Sequence, residues 1–206
     1  MTSTASTRPP ASRARRERAL LILEDGTVLR GSAYGARGTR FGEVVFTTGM
    51  TGYQETLSDP SYAGQIVVQT SPHIGNTGAN AQDMESRKVW VRGYAVRDAS
   101  RIASSYRAEQ TLDDLLISSD VVGISDIDTR MLTRLLRDAG SLRGGIFSGD
   151  ALSTPEQELL AQVREQPSMT GASFLDEVTI AQPVVLEPEG EAVATVAAVD
   201  LGIKGA

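Results

Sequence analysis

Asp25-Gly26 separates two strand-like runs, ALLILE (19–24) and TVLRGSAYG (27–35), and constrains the fold more than any other feature of the chain. Asp-Gly supplies the positive φ that a tight hairpin turn requires, so the two runs are expected to pair as a hairpin. Strand-like patterning continues through EVVF (43–46), QIVVQT (65–70) and a longer run, VWVRGYAVRD (89–98). Together they predict a small β-rich layer.

After Ser100 the period changes. TLDDLLISSD (111–120) is patterned as a short amphipathic helix, VVGI (121–124) as a strand, and SDIDTRMLTRLLRDAG (125–140) as a firm helix. In the last, Met131, Leu132, Leu135 and Leu136 form one apolar stripe, Ser125 and Asp128 resemble a capping box, and Gly140 suits the C-terminal stop. Arg130, Arg134 and Arg137 recur at helical spacing, and a solvated face with arginine stems on the core edge is preferred to an anion site. SLRGGIFSG (141–149) returns as a strand. Thr154 as N-cap with Pro155 at the first helical position then opens a helix running to Gln166. The fold class expected is α+β.

Composition removes several function classes. The 206 residues hold 40% hydrophobic and 22% charged side chains with a formal net charge of −6, unlike a nucleic-acid binder built to neutralise phosphates. No stretch approaches the roughly 18 apolar residues of a membrane span. With no cysteine and a single histidine, the chain has no thiol nucleophile, no disulfide framework and little with which to bind zinc. The Arg-rich opening ends in an apolar run too short for a signal peptide, and residues 1–18 are expected to be a disordered extension of a cytoplasmic protein.

Candidate chemistry is sparse. His73 lies in the loop SPHIGNTGAN (71–80), with Asp83 and serines nearby, but no G-x-S-x-G elbow accompanies it, and a loop-holding role is preferred. The glycines form neither a P-loop nor a dinucleotide fingerprint. Asp126 and Asp128 are read as helix caps without a cation. The segment TGMTGYQETLSDPSY (48–62) is polar and turn-prone between two apparently buried strands, costly to order unless something packs on it or binds to it. Within it Pro60 fixes φ, so that Ser61 presents its hydroxyl and amide outward; the plainer alternative is that Ser61 caps its own turn.

Taken in order, LEDGT, GEVVFTTGMTGYQETLSDPSYAGQIV, SPHIGNTGAN, VVGISDIDTRMLTRLLRDAG, RGGIF and AVDLGIK closely resemble the small subunit of glutamine-dependent carbamoyl phosphate synthetase, from Ala19 to Lys204. At positions 105 and 106, where that family more often has asparagine and tryptophan, this chain has Ser105 and Tyr106, the tyrosine being expected to keep the aromatic packing. The resemblance implies a β/β/α domain over residues 19–180 that docks on the large synthetase subunit, a linker over 181–191, and over 192–206 the first strand of a class I glutamine amidotransferase domain. In the family that domain hydrolyses glutamine with a Cys/His/Glu triad, and ammonia passes to the large subunit, where ATP and magnesium serve carbamoyl phosphate synthesis for the arginine and pyrimidine pathways. The resemblance places Ser61 at the glutamine pocket and leaves this chain with no catalytic residue, cofactor or metal of its own. A non-catalytic module that only docks on the large subunit is the alternative.

Overall fold

The computed structural model describes residues 17–188 and 190–204. In chain order the elements are β1 (Arg18–Leu23), β2 (Val28–Gly35), β3 (Thr39–Thr47), α1 (Tyr53–Ser58), β4 (Gln65–Gln69), β5 (His73–Ile74), β6 (Gly93–Ala95), β7 (Asp98–Ala99), α2 (Leu112–Ser118), β8 (Val122–Ser125), α3 (Thr129–Ala139), β9 (Leu142–Ser148), α4 (Glu156–Glu165) and α5 (Leu175–Val178). Single 3-10 turns occupy Pro60–Tyr62 and Gly149–Ser153. The extension expected over residues 1–18 falls, up to residue 16, outside the described residues, while Arg18 already belongs to β1.

Seven strands close into a barrel in the order β1-β2-β8-β6-β4-β3-β9. The Asp25-Gly26 turn joins β1 to β2 antiparallel, with Leu21 opposite Leu29. β3 and β4 pair in parallel, Val44 opposite Ile66. Parallel neighbours cannot be joined by a tight turn and need a crossover, so the polar segment between them runs as α1 and a 3-10 turn packed on the outside of the barrel wall.

Side-chain alternation explains why β1 and β4 carry so little polarity. Ala19, Leu21 and Leu23 of β1 join Ile66, Val68 and Ile146 in one core with Leu132 and Leu136 of α3, whereas Leu20 and Ile22 face Leu159 and Val163 of α4. In β4, Val67 turns the other way, towards Leu57 of α1 and Leu116 of α2. Both faces are covered, so both must be apolar.

Several boundaries depart from the sequence reading. The run VWVRGYAVRD forms only the three-residue β6 and the two-residue β7, because the Trp90 N–H donates to the Leu57 carbonyl (2.9 Å) instead of to a sheet neighbour. α3 is capped by Asp128 alone, whose carboxylate accepts from the Met131 N–H (2.9 Å); Ser125 belongs to β8, and Asp126 adopts a left-handed φ of 64°. Met131 is 42% exposed, leaving the buried stripe to Leu132 and Leu136 with Leu135 at its edge. α4 starts one residue late, with Pro155 in the cap position because its ψ of 142° is not helical. Tyr106 is 96% exposed, not packed: Ser104 anchors the loop to the Asn76 carbonyl and Arg107 pairs with Asp83, which leaves the ring between them in solvent. No strand forms among the described residues of 192–206, since an apolar run needs a neighbouring edge and a closed barrel offers none.

One ionic knot ties the hairpin turn to the neighbouring strand β9 and to α4. The Glu24 carboxylate accepts from the Arg143 N–H and Nε, each at 2.8 Å, while Arg164 Nε donates to the Glu24 carbonyl, also at 2.8 Å. The hydrogen bonds from Arg143 hold the Glu24 carboxyl below its ordinary value of 4.5. A carboxylate with a depressed folded-state pKa stabilises fully above the unfolded value, and the stabilisation is lost as pH falls through the folded one. Glu24→Gln should therefore cost about 1–2 kcal/mol at pH 7. The difference from wild type, read as melting temperature against pH, should narrow as pH falls below 4.5 and vanish once the folded-state carboxyl is protonated. A difference that does not narrow as pH falls below 4.5 would mean that packing, not charge, carries the interaction.

Candidate functional site

The crossover between β3 and β4 ends in Asp59-Pro60-Ser61-Tyr62. Asp59 is extended at φ −77° and ψ 119°, and Pro60 then opens the 3-10 turn. The Asp59 carboxylate accepts from the Ser61 N–H at 2.9 Å, and its carbonyl accepts from Tyr62 N–H at 3.1 Å. Asp59, not Ser61, is thus the cap of this turn, and Ser61 lies exposed at its crest.

A distant part of the chain meets this turn. Lys204 Nζ stands 2.6 Å from Asp59 Oδ2, the aspartate side chain being only 11% exposed. Burial pushes the Asp59 carboxyl up, but the Lys204 ammonium and the Ser61 N–H and hydroxyl outweigh it, and the net shift is downward; Asp59 in turn raises Lys204. Gly202, at φ +102°, lies so close that a Cβ there would stand 3.5 Å from Pro60 and 3.3 Å from Val178.

Two further groups hold that approach. The Asp200 carboxylate accepts from the N–H groups of Ile180 (2.8 Å), Gly202 (2.8 Å) and Ile203 (2.7 Å), led by Ile203, and these bonds keep it ionised below the usual carboxylate range. Arg87 donates to the carbonyls of Glu177, Val178 (3.2 Å) and Thr179 (3.4 Å), satisfying the C-terminal carbonyls of α5. Its guanidinium lies 4.9 Å from the Trp90 ring centre, with Lys88 Nζ at 4.1 Å. Trp90, Ala63 and Val178 are buried together beneath it, against Phe174.

The assembly presents an exposed hydroxyl beside an aspartate–lysine pair on a turn fixed by proline. It can bind and orient a polar ligand, and it contains no thiol. Sequence reasoning reached Ser61 and the Asp-Pro turn; it did not reach Arg87 or the pairing of Asp59 with Lys204. The signal for Arg87 was faint, a basic pair (Arg87-Lys88) ahead of the only tryptophan.

The other residues singled out in the sequence lie elsewhere. His73 Nδ1 pairs with Asp98 Oδ2 at 2.9 Å, joining β5 to β7, and Asp83 instead takes Asn80 (2.7 Å) and Arg107. Beside the His73–Asp98 pair, Tyr53 of α1 donates its hydroxyl to the Met50 carbonyl at 3.0 Å. Among the described residues no three His, Cys, Asp or Glu side chains are grouped to hold a metal ion, and no helix is long and apolar enough to cross a membrane.

The family profile described as carbamoyl-phosphate synthase small chain, CPSase domain, matches residues 21–146. Among curated relatives, the carbamoyl phosphate synthase small chain of Streptomyces coelicolor is 58% identical over 192 residues, covering 93% of this chain and 50% of the relative. Those of Bifidobacterium longum and Mycobacterium tuberculosis are each 55% identical, covering 91% of this chain and 49% and 51% of theirs. The chain spans about half the length of the curated relatives it matches. With more than half of its residues inside the family profile and relatives of this identity, the chain belongs to the carbamoyl-phosphate synthase small chain family.

Proposed function

We propose that this chain serves as the docking half of the glutamine-hydrolysing subunit of a cytoplasmic carbamoyl phosphate synthetase, and that it contributes Ser61 to the glutamine pocket. The observation that carries the reading is the clamp at the 3-10 turn: Lys204 and Asp59 join the run AVDLGIK to the turn that bears Ser61. If that run opens the amidotransferase domain, as the resemblance implies, the clamp sets Ser61 at the border of the glutamine pocket. The nucleophile, its base and the ammonia path then belong to the amidotransferase half. ATP, magnesium and bicarbonate belong to the large subunit, whose carbamoyl phosphate feeds arginine and pyrimidine synthesis. Neither nucleic acid nor membrane has a role.

The chain should therefore bind the large synthetase subunit while releasing no glutamate from glutamine, since none of its 206 residues is a cysteine. Binding is read by co-purification and hydrolysis by a glutamate assay. Glutamate release above a mock purification would overturn the division of labour, and failure to bind would overturn the docking role.

A further inference from the structure

The outer face of α3 is the strongest charged surface that the site above leaves unused. Arg130, Arg134 and Arg137 fall within ~60° of one another around the helix, opposite the buried Leu132 and Leu136. With Thr133 they line an open groove whose other wall is Thr48 and Thr70, from the ends of β3 and β4. Arg137 pairs with its neighbour Asp138 at 2.9 Å. Among the described residues Arg130 and Arg134 have no carboxylate partner, although the chain holds 26 acidic residues against 20 basic ones.

Two methionines adjoin the groove in sequence. Met131 follows Arg130 on the same helix and is 42% exposed, and Met50, two residues beyond Thr48, is 78% exposed. An exposed methionine next to Arg130 on the helix, with two arginines that lack a carboxylate partner among the described residues, fits a protein interface, where both residue types are enriched, better than a pocket for a free anion.

We propose that this groove docks an acidic surface of the large synthetase subunit, with carboxylates of the partner pairing Arg130 and Arg134. The inference rests on the functional reading above and specifies the face it uses. Complementary charge steers the encounter and sets the register, so association should weaken steeply with salt.

The test measures binding of the chain to the purified large subunit of the same organism by calorimetry, at low salt and at about 0.3 M NaCl. Arg134→Glu and Arg130→Gln/Arg134→Gln are compared with Arg18→Glu, which alters charge outside the groove. Both groove variants have exposed side chains and should keep the wild-type melting temperature. Arg134→Glu is expected to weaken binding at least tenfold at low salt and to flatten its salt dependence, the double glutamine variant less strongly, and Arg18→Glu by less than twofold. Wild-type binding with equal affinity for all variants would overturn the docking face and leave the functional reading standing. No wild-type binding would overturn both. Two other results also refute the acidic-partner assignment: self-association of the chain lost in Arg134→Glu, which makes the occupant a second copy, and saturable binding of inorganic phosphate at the groove, which makes it a free anion.

Discussion

Gly35→Ala is expected to lower the melting temperature by roughly 6–20 °C, the equivalent of about 3–5 kcal/mol for a chain of this size. Gly35 ends β2 at φ +69°, a left-handed conformation that costs an L side chain about 1–2 kcal/mol. A Cβ there would also stand 2.5 Å from the Val121 carbonyl oxygen and 2.7 Å from Leu116 Cβ. Neither can yield: Val121 leads into β8, and Leu116 is a fully buried residue of α2. Overpacking of this kind adds about 1–3 kcal/mol. The Gly35 N–H donates to Asp113 Oδ1 at 2.7 Å, so displacement of this residue also loosens the first turn of α2. Gly26→Ala is the control. Gly26 has an even larger φ, +98°, but nothing lies within 4 Å of its Cβ position, so it should lose only the conformational part, about 1 kcal/mol. Equal losses in the two variants would show that the Gly35 clash relaxes freely and that the barrel end against α2 is softer than its packing indicates.

Ser61→Ala should raise the KM for glutamine tenfold to a hundredfold in the small subunit that joins this chain to the amidotransferase half proposed above, leaving ammonia-dependent synthesis unchanged. A hydrogen bond from a hydroxyl to a substrate carboxylate is worth about 1.5–3 kcal/mol, which sets that range. The turn itself should survive, because its cap is the Asp59 carboxylate holding the Ser61 backbone N–H, a bond that alanine retains. The serine is pre-oriented by Pro60 and by the Asp59–Lys204 pair, so little ordering cost is left for ligand binding. An unchanged KM would return Ser61 to a purely local role in its turn. A parallel fall in ammonia-dependent synthesis would instead place it at the interface with the large subunit.

The residues that met the structure as read are those whose signals are local. The Asp25-Gly26 hairpin, the strands carrying Val44 and Ile66, and the helix stopped by Gly140 need only a turn residue or a period. The Ser61 turn was legible for the same reason, since Asp-Pro-Ser is a turn on its own. Periodicity failed where a single distant bond decided the outcome. The Leu57 carbonyl took the Trp90 N–H out of a strand, and the Asn76 carbonyl held Ser104 so that Tyr106 faces water.

The sequence by itself determined the mixed α+β class, the absence of a thiol and the family resemblance, all of which reside in composition and short contiguous motifs. Tertiary structure decided the closure of the barrel, the parallel pairing that makes a crossover of the polar segment, and the meeting of Asp59 with Lys204. A salt bridge between residues so far apart leaves no spacing to read, because each partner looks like an ordinary surface charge until the fold brings them together.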